Sequence, residues 1–107
     1  MADVLLYTGS KSSLEEMTGK TYVALKNDDE SLVELVAKSE NYELRSPQSL
    51  YPSSIKGAQK SLRSQAKALG ADALVEVRYV FVGASPEHSR MLTGVYAAGY
   101  AVKENKL

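Results

Sequence analysis

The sequence predicts an α+β domain on three observations. Apolar residues recur at spacings of three and four over residues 55–69, the period falls to two over residues 73–82, and a second long strand rich in small residues follows over residues 91–102. A main amphipathic helix is therefore expected on a small antiparallel or mixed sheet, with a shorter helix earlier in the chain. At 107 residues the chain reads as one domain, long enough to bury about two-thirds of the surface its unfolded form exposes. A hydrophobic content of 44% and a charged content of 24% exclude a disordered or low-complexity chain.

The elements follow in order. Residues 4–7 form a short apolar run closed by Thr8, Gly9 and Ser10, a strand and its turn. Residues 21–25 make a second short strand after Gly19. Asn27, Asp28, Asp29 and Glu30 supply N-cap and first-turn groups for a short helix over residues 31–39, with Leu32, Leu35 and Val36 at helical spacing. Pro47, Pro52 and several serines mark residues 41–54 as a connection or edge segment.

Ser53 or Ser54 can cap the main helix, whose Ile55, Ala58, Leu62, Ala66 and Leu69 form one apolar face. Gly70 suits the left-handed position just past its end. In the strand that follows, Ala73, Val75, Val77, Tyr79 and Phe81 share a face expected in the core. Leu74, Glu76, Arg78, Val80 and Val82 share the other, polar in its middle and apolar at its far end. A loop with Pro86 leads to the last strand, antiparallel to the first, and residues 103–107 form a frayed tail.

Cysteine is absent, which removes disulfides, thiolate metal sites and a cysteine nucleophile together. No basic leader and no apolar stretch of about 18 to 20 residues is present, so a cytoplasmic protein without a membrane span is expected. Net charge is zero, but residues 1–50 carry 5 Lys/Arg against 9 Asp/Glu while residues 51–107 carry 8 against 4. Such opposition can steer partners, and it is also common inside ordinary domains.

No cofactor can be named from these residues, and no catalytic or metal-binding constellation stands out. Lys56, Lys60, Arg63 and Lys67 are spaced four, three and four, a basic helix ridge that could hold phosphate or RNA. No aromatic residues interleave with it and net charge is zero, so a solvated face is the plainer reading and nucleic acid is not the expected partner. His88 stands alone beside Glu87 in a loop, short of the three or four ligands a metal needs. Asp28, Asp29, Glu30 and Glu34 lack the spacing of a calcium loop, and the serines lack a base. Gly94 and Gly99 weaken an isolated strand, which points to close approach by a helix or another subunit. Tyr79, Tyr96 and Tyr100 lie on the paired strands, and Tyr96 and Tyr100 share a face. They are candidates, with the two glycines, for a pocket or subunit interface, against the plainer reading of core packing with hydroxyls at the rim.

The run Leu-Gly-Ala-Asp-Ala-Leu-Val-Glu-Val-Arg-Tyr over residues 69–79, followed by the small-residue strand at 94–102, resembles the YbjQ-like family across about residues 55–103. It is similar, more weakly, to RcsF-type domains. The resemblance implies a helix packed on a small sheet and a ring-shaped homo-oligomer, often a pentamer. The family has been labelled heavy-metal-binding, but with no Cys and only His88 this chain offers no residues onto which that label can be carried, nor the disulfides of RcsF-type domains. The expected function is a non-catalytic binding or assembly module, acting as a homo-oligomer with a ligand site between subunits. The alternatives are phosphate or nucleic-acid binding through the basic ridge, and an enzyme whose site is assembled across subunits.

Overall fold

A computed structural model describes residues 3–43, 47–84 and 91–106, with side chains described over 3–39, 55–81 and 94–106. The order is β1 (Leu5–Leu6), α1 (Lys11–Thr18), β2 (Tyr22–Ala24), β3 (Glu34–Glu43), α2 (Pro47–Ala68), β4 (Ala73–Ala84) and β5 (Met91–Glu104). It is an α+β fold with a mixed five-stranded sheet. β1 runs parallel to β4, β4 antiparallel to β5, and both β2 and β3 lie antiparallel along the far side of β5.

α2 covers one face of this sheet. Ala58, Leu62 and Ala66 are fully buried, at the spacing the sequence predicts, against Leu35, Ala37, Leu74, Val77, Val95, Ala97 and Ala101, whereas Leu69, expected on the same face, is exposed at the helix end. The small residues of β5 let the helix approach closely. Gly70 takes the left-handed conformation at φ 75°, where a Cβ would be strained. α2 starts earlier than expected, at Pro47, because proline at the first helical position gives up an N–H that has no helical acceptor there. Ser53 and Ser54 thus lie within the helix rather than at its cap.

α1 was not read from the sequence. Ser10 caps it, accepting the Ser13 N–H at 3.2 Å, and it ends at Gly19, whose N–H donates to the Glu15 carbonyl at 2.9 Å. Leu14 anchors it in a second cluster with Tyr22, Ala73, Val75 and Val102, on the sheet face opposite α2.

The helix expected over residues 31–39 is instead a hairpin loop and the start of β3. Asn27 N–H donates to the Ser31 carbonyl at 2.8 Å, and Asp29 Oδ1 accepts from the Ser31 N–H and hydroxyl at 3.0 and 2.6 Å. The acidic residues close a turn, with Lys26 bridged to Leu32, and do not cap a helix. Glu34 then enters a ten-residue ladder opposite Tyr100 that ends with Glu43 opposite Met91.

β4 also departs from strict alternation. Between Val75 and Arg78 the register with β5 shifts, Glu76 sits at φ 52°, and the Glu76 and Val77 N–H groups turn to the Gly9 and Tyr7 carbonyls. Ala73 and Val75 pack under α1, whereas Leu74 on one side of the bulge and Val77 and Tyr79 on the other pack under α2. Leu74, expected on the polar face, is fully buried, and Phe81, expected in the core, is 51% exposed. The tail is ordered further than expected, since Lys103 and Glu104 pair with β2 and the Asn105 N–H donates to the Thr21 carbonyl at 2.8 Å.

Candidate functional site: an open sheet face between two edges

Strand parity decides what the uncovered part of the sheet presents. α1 protects only the end of its face, around Ala73, Val75 and Val102. Beyond Tyr100, the same face carries Glu34, Val36 and Lys38 of β3, Tyr96 and Ala98 of β5, and Arg78 and Val80 of β4, which stand side by side in the ladder. Val36 is 53% exposed and Val80 57%, and Tyr96 between them is also exposed. The strip is therefore an aliphatic and aromatic surface open to water.

Charged side chains frame it. Arg78 on β4 forms an ion pair with Glu34 on β3, reaching across β5, and its guanidinium carbon lies 5.6 Å from the Tyr100 ring centre. The Glu34 carboxylate raises the Arg78 pKa above its ordinary value. Lys38 Nζ lies 5.4 Å from the Tyr96 ring centre. Each tyrosine thus has a cation over one face of its ring.

The five residues picked out as an interface or pocket do not form one group. Tyr96 and Tyr100 share the open face, and Gly94 lies on the same side by alternation. Tyr79 is on the α2 side, where its hydroxyl accepts from Gln59 Nε2 at 3.0 Å. Gly99 is also on that side, and a Cβ there would come within 2.9 Å of Val77 Cγ2 and 3.3 Å of the Val75 carbonyl. The β4 bulge needs that space, so Gly99 answers to packing within the chain. The sequence reading missed Val36 and Lys38 because it placed them in a helix. In strand register, Glu34, Val36 and Lys38 would have shown the face.

The basic ridge is partly dismantled. Lys56, Lys60 and Lys67 are exposed on α2, but Arg63 is half-buried and its Nε donates to the Val4 carbonyl at 3.3 Å. Lys67 also borders a cleft of about 580 Å³ with Lys20 and Lys106, opposite Asp3, Asp72 and Glu104. Lys20 pairs with Glu104 at 3.8 Å, and Asp72 accepts the Glu104 N–H at 2.7 Å, so the cleft is electrostatically mixed. Glu87 and His88 lie outside the described residues. Among the described residues, no three His, Asp or Glu side chains converge as metal ligands, and no helix is long and apolar enough to cross a membrane.

Neither the scan against family models nor the search of curated proteins finds a match. Among solved structures, the chain is similar to a protein of unknown function from Pediococcus pentosaceus described as belonging to the DUF74 family, which is the YbjQ-like family. The TM-score is 0.71 at 12% identity, covering 95% of this chain and 98% of that one. The likeness is therefore one of fold over nearly the whole chain, well beyond residues 55–103, and it includes the N-terminal half, outside the stretch that carries the sequence resemblance.

Proposed function

We propose that this protein is a non-catalytic binding or assembly module that works as a homo-oligomer, with its open sheet face at or beside the contacts between subunits. The observation that carries the reading is the strip of Val36, Val80 and Tyr96, left bare on a sheet whose other face packs under α2 around Leu62. Contiguous apolar surface of this kind is costly to leave in water and marks interaction sites in soluble proteins. Tyr96 and Tyr100, stacked under Lys38 and Arg78, supply rigid amphipathic area suited to such a contact or to a ligand held between subunits. The structural likeness to a YbjQ-like protein adds the fold in which the sequence resemblance implies rings.

Light scattering on a sizing column, at two protein and two salt concentrations, tests the reading. A mass several times that of the 11.6 kDa chain supports it, and a monomer at every condition overturns it. A second reading, anion binding along α2, is favoured only by the exposure of Lys56, Lys60 and Lys67 on one helix.

A further inference from the structure

The cleft of about 580 Å³ lies within one chain, and none of its lining residues belongs to the strip of Val36, Val80 and Tyr96. Small-molecule sites commonly enclose about 300–1,000 Å³. The cleft opens where β4 begins and β5 ends, and both helices stop at it. Thr18 ends α1, and Gly70 lies just past the end of α2. Val4, Leu5 and Ala71 give it an apolar wall.

Tyr22 is only 9% exposed and lines this cleft, yet its hydroxyl makes no hydrogen bond to any described residue. Its N–H and carbonyl are taken by Glu15 and Lys11, so the part of Tyr22 that faces the cleft is its side chain. The ring packs in the cluster of Leu14, Ala73 and Val102, which carries it from β2 over β5 toward the start of β4, where the cleft lies. By contrast, the Tyr7 and Tyr79 hydroxyls are bonded to Ser13 at 2.7 Å and to Gln59 at 3.0 Å. A buried phenol can donate one hydrogen bond and accept others, and leaving them unmade is costly. Such a group marks a place where a polar atom of another molecule fits.

The charges around it come in two signs. Lys20 and Glu104 offset each other at 3.8 Å. Lys67 and Lys106 have no ion pair among the described residues. Facing them are Asp3 and Asp72, and only one Asp72 oxygen is engaged, by the Glu104 N–H at 2.7 Å. The last carbonyls of the two helices add partial negative charge. A simple anion would meet these carboxylates and carbonyls, and a simple cation would meet the lysines. A molecule carrying both an ammonium and a carboxylate answers each set.

We propose that this cleft binds a small zwitterion of dipeptide size. Its carboxylate lies toward Lys67 and Lys106, its ammonium toward Asp3 and Asp72, and a polar atom bonds the Tyr22 hydroxyl. An aliphatic side chain rests on Val4, Leu5 and Ala71. The site is complete in one chain, so it does not depend on the homo-oligomer reading.

The test is calorimetric titration of the full chain with glycyl-L-leucine and with two analogues that each lose one charge, N-acetylglycyl-leucine and glycyl-leucinamide. The expected result is saturable binding of the dipeptide, with each analogue at least about tenfold weaker, the scale of one charge-assisted hydrogen bond. Tyr22→Phe should weaken binding by about three- to tenfold, one neutral hydrogen bond, without lowering the melting temperature, because no bond within the chain is lost. Lys67→Gln, at an exposed position, should weaken binding with the melting temperature unchanged. Equal binding of glycyl-leucinamide overturns the zwitterion in favour of a cation site, and equal binding of N-acetylglycyl-leucine overturns it in favour of an anion site. Absence of saturable binding overturns the site itself. So does a Tyr22→Phe variant that melts earlier and binds with unchanged affinity, since the hydroxyl would then serve the fold.

Discussion

Glu15 accepts the Tyr22 N–H at 2.8 Å, and Lys11, one turn earlier on α1 and 3.5 Å from that carboxylate, donates to the Tyr22 carbonyl at 3.3 Å. Two helix side chains thereby do for the edge of β2 what a neighbouring strand would do. They fasten α1 over the cluster around Leu14.

This clamp is sensitive to acid. The Tyr22 N–H first, then Lys11, hold the Glu15 carboxyl below the ordinary glutamate range. A depressed folded-state pKa contributes stability above the unfolded value, near 4.3, and that contribution is lost as pH falls through the folded one. Melting temperature should therefore drop as pH falls below about 4, and Glu15→Gln should flatten that slope relative to wild type.

Leu14 is the one buried residue of α1, so Leu14→Ala should cost about 2–5 kcal/mol in urea denaturation. Leu62→Ala, fully buried under α2, should cost a similar amount. A loss under about 1 kcal/mol at either site would show that the cluster does not hold its helix.

Gly99→Ala should destabilise by about 1–3 kcal/mol, since the new methyl meets Val77 Cγ2 at 2.9 Å and the Val75 carbonyl at 3.3 Å. Oligomer mass should be unchanged, because the clash lies inside the chain. A change in mass with unchanged stability would place Gly99 in a subunit contact instead.

Val80→Lys combined with Tyr96→Lys should leave the urea midpoint of the isolated chain within what about 1 kcal/mol produces, because both side chains are exposed. The same pair should lower the solution mass, as ammonium groups would have to lose water in the contact. An unchanged mass would remove the open face from the assembly.

Anion binding along α2 predicts that Lys56→Glu/Lys60→Glu weakens salt-dependent binding to single-stranded RNA and lowers the slope of log affinity against log salt by roughly two units, about one per lysine. Arg63 is the poorer target because its Nε already serves the Val4 carbonyl. Absence of binding by the wild-type chain would end this reading.

The parts legible in sequence were those whose local pattern and final environment agree. Ala58, Leu62 and Ala66 repeat at helical spacing and are buried at that spacing, and Gly70 ends the helix with its φ of 75°. Leu32, Leu35 and Val36 fit a helical stripe as well as a strand, and Asp29 serves a helix start as well as a turn. The long ladder with β5 decided between the two, and nothing within residues 27–39 announces it. The site was half legible for the same reason. Tyr96 and Tyr100 were seen on one face, but their neighbours Val36, Lys38 and Glu34 become neighbours only through β3 pairing.

By itself the sequence determined the fold class, the main helix and its buried face, the two long strands after it, and the absence of any thiol chemistry. These depend on periodicity and composition, which are properties of a short stretch or of the whole chain. Tertiary structure alone decided the strand identity of Glu34–Glu43, the bulge that brings Val77 and Tyr79 to the α2 side with Leu74, and the strip of Val36, Val80 and Tyr96. Each of these depends on which segments lie side by side, and contacts between residues some sixty positions apart, as between Val36 and Ala98, leave no period in the chain to be read.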